Sequence, residues 1–590
     1  MKKIILSVAS IIGATAAFAQ VNVSTAVEKK TAVLEEFTGN FCTYCPDGHK
    51  IADQIAANPS FDVITIKIQT GGFSGTDPIF GGNLQTPDGQ TIASSFATSS
   101  YPNGSVQRRV AYKGLGRGSW QNAVQTINSE DAPVNLYLES TIDVTTRELT
   151  VDAEYYYTAT QPNSTNKLVI GYYQDNIPAY QYDPGFYPSQ FYILSEELYE
   201  FDHAYRGMIN GITGEVIANS SATSTAIVSR SFTLPAAFST FAVEAGAVKV
   251  FAYVIESAGG EILNAAKTTP VYSNFPETDE IGIIYTSKLT DENCLGAAGN
   301  FGPKMLVGTY GGSNLTSFDY DFGINGSSAP YSWTGNVAHN EKVVVNVPAA
   351  PFTYVASNSI DLSVSDPNGN TDNVTSNNDF TSSFNGGTTG TASMIRIDIT
   401  GADQYAPDES EFELLNSTGT VVLASGALPQ GNSTFQYSIP AGTECYRIKM
   451  IDSYGDGWGV GTTCSMKIYD ITGGANTLVR TLNQADNFGS ENVSAIEFTS
   501  TLAINELEKL NLNVYPNPAE DILNVSFDAT DVDFSVVVMD LQGRVVSPEF
   551  KNDAKGMQTI SIPVADLASG SYLVSISSAT SNTTKKVTIK

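Results

Sequence analysis

Cysteine is scarce in this 590-residue chain, with five in all, so disulfides cannot hold its folds together and apolar cores must. Charge is sparse too, at 16% of residues, and one-sided: 31 basic residues face 61 acidic ones, for a net charge of -30. A surplus of that sign repels phosphate backbones and anionic lipid, which excludes nucleic acid as a natural partner. Beyond residue 19 no stretch approaches the ~20 apolar residues that a membrane helix needs. Histidine numbers only three, which limits any metal centre built on imidazole.

What is plentiful points to β-structure. Fifty glycines and 42% hydrophobic residues predict a turn-rich, mainly β array, and the length predicts several domains. Met1-Lys2-Lys3, an apolar run from Ile4 to Ile12 and Ala17-Phe18-Ala19 read as a signal peptide, residues 1–19, cleaved before Gln20. Its loss leaves 29 basic against 61 acidic residues, a charge of -32. No cysteine stands at the cleavage site, which argues against a lipid anchor there, so the mature chain is expected to be exported and soluble.

Cys42-Thr-Tyr-Cys45-Pro46 is the stretch with most chemistry in it. It closes a strand-like run, Thr31 to Phe37, and opens a helical pattern from Pro46 to Ala57 with Ile51 and Ile55 on one face. A thiol pair at a helix N-terminus meets free N–H groups and the positive end of the helix dipole, both of which favour thiolate. Cys42 is then the attacking thiol and Cys45 the one that resolves the mixed disulfide. CxxC in that setting has the context of thioredoxin-like redox motifs, and Tyr101-Pro102 supplies the candidate cis-proline beside it. Two other readings compete. A four-residue disulfide loop gives little chain-entropy stabilisation, so a purely structural bridge explains the motif poorly. Cys42, Cys45 and His49 also have three-ligand zinc spacing, but the fourth ligand must come from afar, from His203 or His339, and His49 reads more simply as a solvated helix residue.

The organisation follows from the patterns. Residues 20–133 alternate strands and helices as a central sheet with helices on both faces. Residues 134–275 carry period-2 strands, interrupted by an aromatic stretch from Tyr180 to Asn210, and read as an immunoglobulin-like sandwich. In that stretch Tyr199, Phe201, His203 and Tyr205 are expected to pack a long loop onto a neighbour. Residues 276–388 and 389–500 read as two further β-sandwiches, with a Ser/Gly/Thr linker expected between Phe380 and Thr391. A linker, 501–512, precedes a compact terminal β-module, 513–590.

In the third module, Asp452-Ser-Tyr-Gly-Asp456-Gly-Trp458 offers two carboxylates on a glycine-hinged loop, a low-charge candidate for Ca²⁺ without EF-hand spacing. The plainer reading is a tight turn whose Trp458 covers a sandwich edge. Asp366, Asn368, Asn370 and Asp372 alternate oxygen ligands, but Thr371 stands where a glycine is needed, and an Asx-rich turn fits better. Cys445 and Cys464 flank the Asp452 loop and read as a disulfide, closing a loop worth roughly 3 kcal/mol in the chain-entropy model. Cys294 is left over.

Three resemblances add to this. Val33 to Pro46, Tyr101-Pro-Asn-Gly-Ser-Val-Gln-Arg108 and Phe201-Asp-His-Ala-Tyr-Arg206 together resemble the thioredoxin-like outer-membrane protein family of Gram-negative bacteria. That resemblance implies a thioredoxin-like α/β domain followed by an immunoglobulin-like sandwich at the cell surface. Val514-Tyr-Pro-Asn-Pro518, Leu541-Gln-Gly-Arg544, Leu567-Ala-Ser-Gly-Ser-Tyr572 and the basic Lys585 to Lys590 look like the type A sorting domain of type IX secretion. It implies handling by that machinery, passage across the outer membrane, and attachment or release. Ser317 to Val347 is similar to adhesin-type or CARDB-like modules, which implies spacing or adhesion. The expected protein is thus a surface-delivered binding or adhesion protein of unknown protein or glycan ligand. A thiol-disulfide oxidoreductase using Cys42 and Cys45 is the rival, and glycan binding through Tyr and Trp of the β-modules a third possibility.

Overall fold

The computed structural model describes the chain except residues 1–21, 97–99, 162–164, 183–189, 194, 196, 257–259, 290–291, 454–457, 459–463, 484–490, 501–511, 530–533, 542, 553–555 and 578–581. The signal peptide, nearly all of the 501–512 linker and Asp456 therefore lie outside the described residues. The architecture is mainly β and multidomain, with one α/β region near the start.

That region runs β1 (Ala32–Thr38), α1 (Cys45–Ala57), β2 (Val63–Gln69), α2 (Pro87–Ser94), β3 (Asn103–Val106), β4 (Leu115–Gly116) and α3 (Trp120–Ser129). β1 pairs parallel to β2 and antiparallel to β3. Both β1 and β2 are buried along their whole length, so even their polar residues, Glu35, Glu36, Thr65 and Lys67, are enclosed. α3 lays Trp120, Ala123, Val124 and Ile127 on one side of the sheet, at the 3–4 residue spacing of an amphipathic helix.

Next come β5 (Val134–Asp143), β6 (Glu148–Tyr157), β7 (Lys167–Gln174), β8 (Ile177–Tyr180), β9 (Phe191–Ile193), β10 (Leu198–Phe201) and β11 (Ala204–Met208). They are followed by β12 (Glu215–Val216), β13 (Thr225–Thr233), β14 (Ala237–Phe238), β15 (Phe241–Ala242), β16 (Val248–Ile255), β17 (Ile262–Thr268) and β18 (Val271–Ser273). The division expected near residue 133 is crossed by one sheet. Its order is β17-β16-β7-β11-β2-β1-β3-β4, with β12 beside β7, so strands from both sides of residue 133 share a hydrogen-bonded ladder. The junction is β11, parallel to β2 at Ala204 and Lys67 and antiparallel to β7.

Period-2 geometry explains how one sheet serves two cores. Leu168, Ile170 and Tyr172 of β7 and Val248, Val250, Ala252 and Val254 of β16 face the sandwich core against the sheet β13-β6-β5-β18. The alternate residues Val169, Tyr173, Phe251, Tyr253 and Ile255 face the α/β core with Phe37, Ile66 and Ile68. The aromatic stretch expected as a loop is instead a small sheet, β8-β10-β9, followed by β11. Tyr199 and Phe201 are buried in it as aromatic ladder residues, with ring centroids 4.7 Å apart.

The chain forms two compact units. The first comprises residues 1–288, 302–349 and 360–381, the second residues 289–301, 350–359 and 382–590. In the first, strands Ile281–Thr286, Lys304–Thr309 and Lys342–Asn346 make an antiparallel sheet. The stretch expected as a linker is strand: Asp379–Asn385 and Thr388–Thr391, the latter parallel to Glu491–Ser500. Alternation of half-buried and exposed residues from 379 to 385 overrides the linker-like composition, since Ser and Thr pack acceptably on a pleated surface.

In the second unit a five-stranded and a four-stranded sheet enclose Ile395, Ile397, Phe412, Leu414, Ile448, Ile468 and Trp458. Residues 513–590 form a three-stranded and a four-stranded sheet around Val525, Phe527, Val536, Val538, Val574 and Val587.

Candidate functional site

β1 ends at Thr38, and four residues later Cys42 begins the turn into α1. Backbone bonds from Cys42 N to Gly39 O (3.1 Å) and from Cys45 N to Cys42 O (3.1 Å) wind that turn, with Pro46 inside the first helical turn. Proline costs nothing there because the first N–H groups have no intrahelical partner. Cys42 and Cys45 are joined as a disulfide, 4% and 0% exposed. The Tyr101–Pro102 bond is cis, and Pro102 is buried against α1. A Cβ placed on Gly48 would stand 2.7 Å from Pro102 Cγ and 2.6 Å from Glu36 Oε1, so the absence of a side chain at Gly48 lets helix, proline and carboxylate meet.

Glu36 is the residue that reading the sequence missed. It is fully buried, and neither carboxylate oxygen has a hydrogen bond among the described residues. Burial pushes its pKa well above the ordinary range, against the attraction of Lys67, which pairs beside it on β2. Lys67 spends its charge on Asp53 of α1, at 2.8 and 3.0 Å. A neutral buried acid can take up or release a proton when a charge appears nearby. The available signal was a pair of glutamates and a lysine inside two otherwise apolar strands. Glu35, the other member, is ion-paired to Arg108, which also donates to Tyr253 Oη at 2.8 Å.

His49 corrects the expectation of a solvated helix residue: it is wholly buried. Nε2 is 2.8 Å from Thr38 Oγ1 and Nδ1 is 2.8 Å from Tyr199 Oη. Burial first, and then Lys67, hold its pKa well below the usual value, so it is neutral. With both ring nitrogens engaged and both sulfurs in a disulfide, the Cys42, Cys45, His49 zinc set does not form. Among the described residues no group of three or more His, Cys, Asp or Glu is placed to hold a metal ion.

The rim of the pair is aromatic. Phe41, Tyr44 and Phe73 are exposed large side chains around it. Phe41 N donates to Phe73 O at 2.9 Å, Phe73 lies edge-on to Tyr101 and the Arg117 guanidinium stands over the Tyr44 ring at 5.5 Å. On the other side Gln181 Nε2 donates to Cys42 O at 3.1 Å, and the Tyr180 ring packs on Phe41 at 5.3 Å.

Elsewhere the second unit pairs Cys294 with Cys445. The expected Cys445–Cys464 bridge does not form: Cys464 is a free thiol buried in the core, and Cys294, thought left over, is the partner. Flanking one loop suggested the wrong mate, because Cys445 lies in Gly442–Asp452 on one sheet and Cys464 just precedes Ser465–Asp470 on the other. Asp452 ends the strand Gly442–Asp452 and is buried, while its calcium partner Asp456 lies outside the described residues. Trp458 is 1% exposed and donates Nε1–H to Ile451 O at 2.8 Å, which leaves it no face for a sugar. In the 366–372 turn the Asn368 and Asn370 amides bind Asp279, and Asp366 and Asn368 adopt left-handed backbone.

Many small sheets in several domains, the last of them the compact β-module of residues 513–590, make up this chain. Residues 513–590 match the family described as secretion system C-terminal sorting domain, and residues 89–272 match outer membrane protein Omp28. The chain is a multidomain protein sorted by type IX secretion to the cell surface or outer membrane. No curated protein matches the sequence. Among solved structures it is similar to HBP35 of Porphyromonas gingivalis, at 15% identity over 52% of this chain and 99% of that one, with a TM-score of 0.32. A domain of the outer membrane lipoprotein Omp28 from Porphyromonas gingivalis aligns at 12% identity over 24% of this chain and 91% of that one, TM-score 0.17. No helix among the described residues is long and apolar enough to cross a membrane.

Proposed function

We propose that this protein is a surface binding protein that engages extended polypeptide at the Cys42–Cys45 end of a thioredoxin-like module. The observation that carries this is the rim of exposed aromatics, Phe41, Tyr44 and Phe73, around a disulfide whose flanking backbone is held by Gln181. Exposed aromatic clusters on an otherwise acidic surface are anchors for a partner, not incidental exposure. The β-modules then serve as spacers. The test is binding of a labelled, carboxymethylated, permanently unfolded model protein to the mature chain by fluorescence anisotropy. Saturable binding lost at least tenfold in Tyr44→Ser/Phe73→Ser, with unchanged circular dichroism, supports the reading. Absent binding, or equal binding by the double variant, overturns it.

A second reading, thiol-disulfide exchange by the same pair, is favoured by Glu36. A buried neutral carboxyl at the crossing of α1 and cis-Pro102 is suited to proton exchange with a reacting thiol, and α1 directs its N-terminal N–H groups at the pair. Near-complete burial of both sulfurs counts against rapid turnover. Reduction of insulin by the dithiol form, lost in Cys42→Ser, would establish this activity; its absence leaves binding as the function.

A further inference from the structure

Away from the disulfide, the first unit holds a cavity of about 190 Å³ between β8, β15 and the sheet Ile281–Thr286, Lys304–Thr309, Lys342–Asn346. Phe80, Phe241, Ile284 and the ring of Tyr310 give it largely apolar walls, to which Gln174 and Asn176 add uncharged polar groups. Two opposite charges line it, the Glu244 carboxylate and the Lys342 ammonium. Each is the strongest charge acting on the other, yet neither makes a hydrogen bond or a direct ion pair among the described residues. The Tyr310 hydroxyl, which feels Glu244, has no hydrogen bond among the described residues either.

Burial raises the Glu244 pKa and lowers that of Lys342, so both groups lack the solvation their charged forms need. Arg147 lies in the field of Glu244, and Glu200, Glu341 and Asp202 in that of Lys342, but none of these is within ion-pair distance among the described residues. Opposite charges that line one cavity without an ion pair between them among the described residues want one molecule carrying both complementary charges. The volume is below that of drug-sized pockets and suits a small ligand.

We infer that this cavity binds a free α-amino acid with an apolar side chain, its ammonium on Glu244, its carboxylate on Lys342 and its side chain against Phe80 and Phe241. The Tyr310 hydroxyl completes the polar end. This site is separate from the disulfide rim and stands whether or not that rim binds polypeptide.

The experiment is calorimetric titration of the mature chain with L-phenylalanine and L-leucine, beside phenethylamine, which lacks the carboxylate, and 3-phenylpropionate, which lacks the amine. Saturable one-site binding of an amino acid, at least tenfold tighter than either truncated probe, is expected. Glu244→Gln and Lys342→Met should each weaken it at least tenfold while retaining the thermal transitions of the wild type. No amino-acid binding, or a truncated probe binding as tightly as phenylalanine, overturns the assignment. The probe series on the wild-type chain decides this even if a variant fails to fold.

Discussion

His49 and Tyr199, 150 residues apart in the chain, share a 2.8 Å hydrogen bond at a place where neither is exposed to water. The bond ties α1, which carries Cys45, to the small sheet β8-β10-β9. Tyr199→Phe keeps the ring and leaves His49 Nδ1 without its partner. An unsatisfied buried group costs about 1–3 kcal/mol, so exchange of α1 amides that open locally should quicken roughly 5- to 150-fold. Hydrogen exchange resolved by peptide is the measurement. Unchanged α1 protection would show that the tie contributes nothing.

Glu36 and His49 put opposite slopes on stability. Glu36 has a raised pKa in the folded state, so folding binds a proton and stability falls as pH rises from the ordinary carboxylate range through the raised value. His49 has a lowered one, so its stability is present above the usual histidine value and is lost as pH falls below it. Glu36→Gln should therefore gain on the wild type as pH climbs above about 4.5, with the two melting alike in acid. Thermal transitions recorded from pH 4 to pH 9 check this. A variant weaker than the wild type at pH 8 would mean that Glu36 is charged and paired.

Much of the fold was legible because it rests on local pattern. α1 and β1 follow from periodicity and from the proline after Cys45, and their observed ends fall within a residue or two of those expected. The shared sheet was not legible. Its junction is Ala204 beside Lys67, a contact between strands 137 residues apart that no local signal encodes. The strand Asp379–Asn385 was hidden by Ser and Thr, whose composition says linker while their alternation says sheet. In the site, the thiols announce themselves by spacing. Glu36 does not, because a carboxylate in a strand looks the same in sequence whether ion-paired, as Glu35 is, or, as Glu36 is, without a hydrogen bond among the described residues and with neutral His49 Nε2 at 3.7 Å.

The cysteines give a chemical check on the second unit. Cys294–Cys445 spans 151 residues, and closing so long a loop is worth about 5 kcal/mol in the chain-entropy model. Non-reducing peptide mapping should recover Cys294 with Cys445 and Cys464 alone. Burial, then Asp403, push the Cys464 thiol up to about 11, so maleimide should label it only after denaturation. A Cys445–Cys464 peptide would reverse this assignment. Cys294→Ala/Cys445→Ala should melt earlier than the wild type, and reductant should then have no further effect on that transition.

Gly48 gives the sharpest test of the site, because two effects compete there with opposite signs. In an ordinary helix interior, alanine is better than glycine by about 1 kcal/mol. Here the new methyl would meet Glu36 Oε1 at 2.6 Å and Pro102 Cγ and Cβ at 2.7 and 2.8 Å. The proline ring cannot rotate away, and Glu36 is enclosed on every side. Over-packing of that kind costs about 1–3 kcal/mol, enough to outweigh the helix gain. Gly48→Ala should thus loosen α1 and its disulfide, seen as faster α1 exchange and faster reduction of Cys42–Cys45 by dithiothreitol. Slower reduction with a firmer helix would mean that α1, Glu36 and Pro102 do not approach so closely, and the case for a carboxyl poised beneath the thiol pair would fall with that contact.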